Sequence, residues 1–139
     1  MTLVWRNSMS VGVAEFDRDH QRMLLLLQEI AAVLAAGDQA HARSLTANLL
    51  ALAEDHTARE VAFLRRIGFP EVEVVIAAQQ DSLSRIAALK DATPGEKLDL
   101  IASMEEAFVA YLLRADIKFK SFVEAAGRSD TPLALRVRP

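Results

Sequence analysis

The sequence has no cysteine, only five glycines and four prolines, and a single tryptophan in 139 residues. Without cysteine the chain has no disulfide, no thiolate metal ligand and no cysteine nucleophile. The scarcity of glycine and proline beside abundant alanine and leucine favours helices. No apolar run approaches the ~20 residues that span a bilayer, and the N-terminus lacks a basic start and an apolar segment of secretory length. We therefore expect a cytoplasmic protein that contacts no membrane.

Charge and catalytic motifs narrow the function further. Charged residues make up 25% of the chain, and the formal net charge is −3. So mild a charge predicts no nucleic-acid partner. The sequence has no glycine-rich phosphate loop, and no serine or threonine has a plausible His and Asp partner for nucleophilic catalysis. We therefore expect a globular protein that is not an enzyme.

Hydrophobic periodicity predicts four helices, because apolar residues recur at spacings of three and four along most of the chain. The breaks fall at Gly37-Asp38, Gly68-Phe69-Pro70 and Thr93-Pro94-Gly95-Glu96, which are stop and cap signals. The first helix is expected to begin near Asp17 to Asp19, with both aspartates as caps. The fourth is expected to end at Gly127.

Four long amphipathic helices with short connections predict an all-α fold, namely an antiparallel up-down-up-down four-helix bundle. The predicted bundle covers residues 1–127, of which residues 1–16 form an N-terminal arm. Residues 128–139 are expected to form a C-terminal tail. A chain of 139 residues is long enough for one sizeable core.

Polar residues interrupt the apolar stripes of the predicted helices. An ionised carboxylate in an apolar core costs several kcal/mol unless it is paired, hydrogen-bonded or bound to a metal. No Lys or Arg lies on the stripes to neutralise such carboxylates. His and carboxylate side chains that converge inside a bundle are typical of Fe, Mn or Zn sites. Taken singly, each residue is better interpreted as a hydrogen-bonded core residue than as a ligand, and only the whole set brings a metal site level with that interpretation. The inward polar residues are His20, His56, Glu60, Gln79, Tyr111 and Asp116.

These residues belong to a longer set of motifs that extends from Trp5 to about Phe122. The set comprises Trp5, Val11-Gly12-Val13, Phe16-Asp17-Arg18-Asp19-His20, the His-x-x-x-Glu pair of His56 and Glu60, Gly68-Phe69-Pro70 and Asp116. Together the arm, the turn and the ligand spacings resemble the hemerythrin family. The resemblance implies a four-helix bundle with a non-haem iron site in its core.

The chain departs from the family at three ligand positions. Val75 and Gln79 stand where the third helix of the family has a pair of His ligands. Tyr111 stands where the fourth helix has its His. Valine cannot ligate, glutamine is a weak oxygen ligand, and tyrosine could bind ferric iron as a phenolate or simply fill the space of the lost imidazole.

The remaining positions match one half of the family's two-iron site. By resemblance, the carboxylates of Glu60 and Asp116 correspond to those that bridge the two irons, and His20 and His56 to those that complete one iron. The resemblance therefore implies one intact half-site, made of His20, His56, Glu60 and Asp116. The other half-site has lost all three imidazoles.

This ligand count leads to three hypotheses. The first is a hemerythrin-like protein that holds one Fe or Zn ion, with altered or lost reversible O2 binding and a sensor or storage role. The second is a metal-free interaction or signalling module, and the third is a di-iron O2-binding protein in which Tyr111 substitutes for a lost ligand. Oxygenase chemistry is a distant alternative. A small ligand such as O2 is the expected partner, while protein partners and the choice between monomer and homo-oligomer stay open.

Overall fold

The structure is a computed structural model that describes residues 4–115 and 119–128. The regular elements of the described part are all helices, with no strand among them, which confirms the all-α prediction. None of these helices is long and apolar enough to cross a membrane. After a short 3-10 turn at Asn7–Met9, the helices are α1 (Ala14–Ala35), α2 (Gln39–Arg66), α3 (Val72–Ala88), α4 (Pro94–Ala115) and α5 (Ser121–Arg128).

The predicted cap signals form the helix ends. Gly37 closes α1 with a φ of +83°, a conformation that glycine adopts without a steric penalty. The side chain of Asp38 then accepts a hydrogen bond of 3.1 Å from the His41 N–H at the start of α2. At the start of α4 the Thr93 N–H donates to the Glu96 carboxylate at 2.9 Å, and the Glu96 N–H donates to the Thr93 hydroxyl at 3.3 Å. This reciprocal pair is a capping box.

The predicted start of the first helix was wrong, because α1 begins at Ala14. Asp17 lies in the first turn of α1 and does not cap it. Its carboxylate accepts hydrogen bonds from the Ser10 hydroxyl at 2.6 Å and from the Val11 N–H at 2.9 Å. The aspartate thus reaches back and ties the preceding segment to the helix.

The predicted fourth helix is covered by two elements, α4 and α5. Residues 116–118, which include the predicted ligand Asp116, lie outside the described residues, as do residues 1–3 and 129–139. The division into an arm, a bundle and a tail stays a prediction.

Buried apolar side chains form two clusters along the helices. The first, here called the Ile30 cluster, consists of Met23, Leu26, Leu27, Ile30, Leu34, Ala42, Leu45, Leu49, Ala53, Ile86, Leu89, Ile101 and Met104. The second, here called the Leu112 cluster, consists of Met9, Val11, Phe16, Phe63, Leu64, Phe69, Val75, Leu112, Phe119 and Val123. Phe108 packs against both clusters, so it marks the level at which they meet.

The helices pack unevenly around this core. The contact between α1 and α2 is the most extensive, α2 also packs on α3, and α1 packs on α4. By contrast, α3 and α4 contact each other sparsely. Val75 and Ile86 are the only buried residues of α3, and Gln79 and Leu83 between them are half-buried. Helix α3 therefore contributes few fully buried side chains to the core.

Candidate metal centre

Three of the predicted ligands meet between the two apolar clusters. His20 lies on α1, and His56 and Glu60 lie on α2, and each is only 1% exposed. His20 falls between Phe16 of the Leu112 cluster and Met23 of the Ile30 cluster along α1. Because His56 and Glu60 are four residues apart, they project from the same face of α2 towards His20.

The three potential ligand atoms form a compact triangle. Nε2 of His20 lies 3.1 Å from Nε2 of His56, which in turn lies 2.9 Å from Oε2 of Glu60. The third side, from Nε2 of His20 to Oε2 of Glu60, measures 3.8 Å. Ligands bound tetrahedrally to one ion at about 2.1 Å are about 3.4 Å apart. The group therefore has the spacing to hold one metal ion.

The second nitrogen of His56 is held by a carboxylate. Nδ1 of His56 lies 2.8 Å from Oδ2 of Asp19, and the Arg59 guanidinium donates to the same oxygen at 2.8 Å. Arg59 also donates to Glu15 at 2.8 Å and to Asp55 at 2.9 Å, so it links α1 to α2. A carboxylate behind a histidine ligand fixes the ring orientation and raises the basicity of the ligating nitrogen.

The second oxygen of Glu60 is held by Gln79. The side-chain amide of Gln79 donates to Oε1 of Glu60 at 2.9 Å, and the Thr57 hydroxyl donates to the amide oxygen of Gln79 at 3.4 Å. Gln79 thus orients the carboxylate so that Oε2, the other oxygen, faces the two histidines.

The surroundings shift the proton affinities of the two histidines in opposite directions. Burial lowers the pKa of His20 from 6.5 to about 4, although the negative charge of Glu60 acts against this shift. Burial also disfavours a proton on His56, but hydrogen bonds and charges from Glu60 and Asp19 outweigh it and raise the pKa of His56. Burial likewise acts to raise the pKa of Glu60, yet the hydrogen bonds from His56 and Gln79 and the charges of the two histidines together outweigh it and lower that pKa.

These directions describe the metal-free group as a function of pH. Below its raised pKa, His56 carries a proton on each nitrogen and bridges the carboxylates of Asp19 and Glu60, while His20 is neutral above a pH of about 4. Nδ1 of His20 has no hydrogen-bond partner among the residues that the structure describes. Its ring is held by edge-on contacts with His56, at a centroid distance of 4.6 Å, and with Phe108, at 5.5 Å.

The remaining predicted positions are distributed around this group. Val75 is buried in the Leu112 cluster, and its side chain has no polar atom. Tyr111 is half-buried, and burial, together with the charge of Glu60, raises the pKa of its phenol. The metal-free protein therefore keeps Tyr111 as a neutral phenol. Asp116 lies outside the described residues.

Sequence reasoning missed Asp19 and Arg59. Asp19 was interpreted as a cap, but its carboxylate points across to α2. In the sequence these residues appear only as charged side chains on two predicted helices. The packing of α1 on α2 is needed to show that Asp19, His56 and Arg59 lie side by side.

No protein-family model, curated protein or solved structure matches the chain significantly.

Proposed function

We propose that the chain is a hemerythrin-like non-haem metal-binding protein that holds a single Fe or Zn ion. His20, His56 and Glu60 supply three ligands, and Asp116 is the predicted fourth. The observation that carries this proposal is the buried triangle of two Nε2 atoms and one carboxylate oxygen, with sides of 2.9 to 3.8 Å. Two imidazoles and carboxylate oxygens are ligands suited to both ferrous iron and zinc.

The order of apolar contacts supports an antiparallel up-down-up-down bundle for α1 to α4. Along the chain, α1 runs from the Leu112 cluster to the Ile30 cluster, and α2 runs back. In the same way, α3 runs from Val75 to Ile86, and α4 returns from Ile101 to Leu112. We infer that each helix opposes the next, so that His20 in the first half of α1 meets His56 and Glu60 in the second half of α2.

The residues at the second half-site favour one ion over two. Val75 offers no donor atom, and the Gln79 amide is engaged by Glu60. Tyr111 would have to lose a proton that burial stabilises. A second ion would therefore find few protein ligands. Because reversible O2 binding of the hemerythrin type uses two irons, we propose a sensor or storage role in which that activity is altered or lost.

A metal-free interaction module is the second candidate, and the hydrogen bonds of His56 favour it. In the metal-free protein below the raised pKa of His56, the imidazolium donates to both Asp19 and Glu60. The buried carboxylate is then neutralised by an imidazolium instead of a metal ion. Both candidates use the same three residues, and metal stoichiometry distinguishes them.

The deciding experiment is the metal content of untagged protein after anaerobic reconstitution with ferrous iron and, separately, with zinc. Plasma mass spectrometry should find about one ion per chain, and the ion should be lost in His56→Ala and Glu60→Gln. His41→Ala is the matched control, because His41 lies on the same helix with an exposed side chain. Protein without stoichiometric metal under both conditions would leave the metal-free module.

Tyr111→Phe tests the two-iron alternative. Under the proposal this variant keeps one ion per chain, and the ferric wild-type protein lacks a phenolate charge-transfer band. Two irons in the wild type, reduced to one in Tyr111→Phe, would instead establish Tyr111 as a substitute ligand. Asp116→Asn measures the contribution of the predicted fourth ligand by the same assay.

A further inference from the structure

A cavity of about 230 Å³ lies beside the candidate metal centre, among α1 to α4. It is lined mainly by α3 and α4, which contact each other sparsely. Gln79, Phe108 and Tyr111 form the wall that faces the metal centre. None of the three potential metal ligands of the described part lines this cavity. The cavity is therefore a neighbouring space and not the metal centre itself.

The floor of the cavity is apolar. It is formed by buried side chains of the Ile30 cluster, among them Met23, Leu27, Leu49 and Met104. Two of these are methionines, whose unbranched thioether chains adapt to the shape of an apolar ligand. An apolar floor of this kind favours a hydrocarbon chain over a sugar, a nucleotide or a hydrated ion.

The rim of the cavity is charged and exposed. Asp81 and Arg85 on α3 pair with each other at 2.9 Å, and Arg114 approaches from α4. The charge of Arg114 reaches inwards, since it acts on the phenol of Tyr111. Two arginines and one aspartate leave the rim with one net positive charge. That charge complements an anionic head group at the entrance.

The volume limits the length of the ligand. A cavity of roughly 150 Å³ holds one benzene molecule. By proportion, 230 Å³ accommodates about nine non-hydrogen atoms. A straight-chain monocarboxylate such as hexanoate is within this size, whereas decanoate exceeds it.

We propose that this cavity is a binding site for short straight-chain monocarboxylates, with the hydrocarbon chain on the methionine and leucine floor and the carboxylate at Arg114. The site does not depend on the metal centre, so it can be tested on metal-free protein. Failure of the metal proposal would leave this one standing, and the reverse also holds.

Head-group selectivity is the first test, and it needs no variant. Metal-free protein labelled with nitrogen-15 is titrated with hexanoate, hexan-1-ol and hexylammonium, and amide chemical shifts are followed by NMR. Hexanoate should shift the signals of Ala53 and the Gln79 side chain and should bind roughly fivefold more tightly than hexan-1-ol. Hexylammonium should bind most weakly. Equal affinities for the three compounds, or no shift at the lining residues, would overturn the proposal.

Chain length is the second test. Each added methylene should tighten binding about fourfold from butanoate to hexanoate, because each buries about the same apolar area. The gain should stop once the cavity is full, so that decanoate binds no more tightly than octanoate. An affinity that rises steadily through decanoate would indicate adsorption on an open apolar surface and would contradict a site of limited volume.

Two variants then locate the ligand. Arg114→Gln should weaken hexanoate binding roughly fivefold and leave hexan-1-ol unaffected. Ala107→Leu places bulk in the cavity lining and should abolish both, whereas Ala102→Leu, at an exposed position of α4 outside the lining, should bind as the wild type does. Arg114 and Ala107 are exposed, so both variants are expected to fold. Unchanged hexanoate affinity in both variants would place the ligand elsewhere and reject the site.

Discussion

Oδ2 of Asp19 lies 2.8 Å from Nδ1 of His56, and this contact directs the other nitrogen of the ring towards Glu60. The pair joins α1 to α2 at the level of the candidate metal centre. Because the same carboxylate oxygen also accepts from Arg59, Asp19 is fixed from the solvent side. The orientation of a proposed ligand thus depends on a residue that does not face the metal.

The first prediction concerns Asp19. Asp19→Asn preserves the size of the side chain and one acceptor for Nδ1, but it removes the charge that raises the basicity of His56. We expect the affinity for zinc or ferrous iron to fall about tenfold while the stoichiometry stays unchanged, in keeping with other residues that support metal ligands. A chelating-dye competition assay measures the change.

Asp55→Asn is the matched control for Asp19. Asp55 is exposed, lies on α2 and also pairs with Arg59 at 2.9 Å, but it does not touch His56. The metal affinity of the Asp55→Asn variant should equal that of the wild-type protein. Equal losses in the two variants would show that the ion network around Arg59, and not the bond to His56, governs metal binding.

The second prediction concerns Gly12 and the segment before α1. Gly12 is buried and has a φ of +85°, and a Cβ at this position would lie 3.2 Å from Cγ of Lys120. Gly37 has a similar φ of +83°, but a Cβ there would meet no atom within 4 Å. Gly37→Ala should therefore lower the free energy of unfolding by only about 1 kcal/mol, the cost of placing a non-glycine residue in the left-handed backbone region.

Gly12→Ala should cost more than Gly37→Ala, because the Lys120 side chain must also move. We expect a total of about 2 kcal/mol, measured as the free energy of unfolding in urea and followed by far-UV circular dichroism. A cost no greater than that of Gly37→Ala would show that the segment around Gly12 packs loosely against Lys120.

Much of the fold could be predicted from local signals. Helix ends at Gly37, Asp38 and the Thr93–Glu96 capping box follow from residues that lie adjacent in sequence and need no knowledge of packing. The start of α1 could not be predicted in this way. Asp17 has the composition of a cap, but its partners at Ser10 and Val11 precede the helix, and only the course of the chain reveals them.

The candidate site could also be predicted only in part. Helical periodicity placed His20, His56 and Glu60 on inward faces, and the structure brings their ligand atoms together. The residues that orient them were less accessible to sequence reasoning, because the rotation of α1 against α2 decides whether Asp19 meets His56 or the solvent. Likewise, the sequence suggested Gln79 as a weak ligand, whereas its amide donates to Glu60.

The third prediction concerns the pH dependence of the metal-free protein. His20 has a folded pKa of about 4, below the 6.5 expected when unfolded, so stability should be lost as the pH falls from 6.5 towards 4. His56 has a raised pKa in the folded state, so its contribution is full below 6.5 and is lost as the pH rises through that raised value. The free energy of unfolding should therefore reach its maximum near pH 6.5.

Urea unfolding in the presence of a chelator, over a range of pH values, measures this profile. Protonation of His20 on the acid side lowers the free energy of unfolding by roughly 3 kcal/mol in total. Protonation of Glu60 lowers it further below the usual pKa of a glutamate. His20→Gln should flatten the acid side and His56→Gln the alkaline side, whereas His41→Ala should leave the maximum in place. A profile that rises or falls steadily through pH 6.5 would contradict the opposite shifts of the two histidines.

The fourth prediction is that metal binding releases a proton. In the metal-free protein below the raised pKa of His56, Nε2 of His56 carries a proton that faces Glu60, and a metal ion bound there must displace it. The number of protons released should approach one per ion at pH values below the raised pKa of His56, and it should fall towards zero above that pKa. His20, which is neutral down to a pH of about 4, should contribute no proton near neutrality.

Calorimetric titrations with zinc in buffers of different ionisation enthalpy give the proton count directly. The apparent affinity should accordingly rise with pH, about tenfold per pH unit, up to the raised pKa of His56 and then level off. Asp19→Asn should move that levelling point to lower pH, because it removes one of the two charges that hold the proton. Metal binding without proton release at pH 6 would mean that the ion binds away from Nε2 of His56.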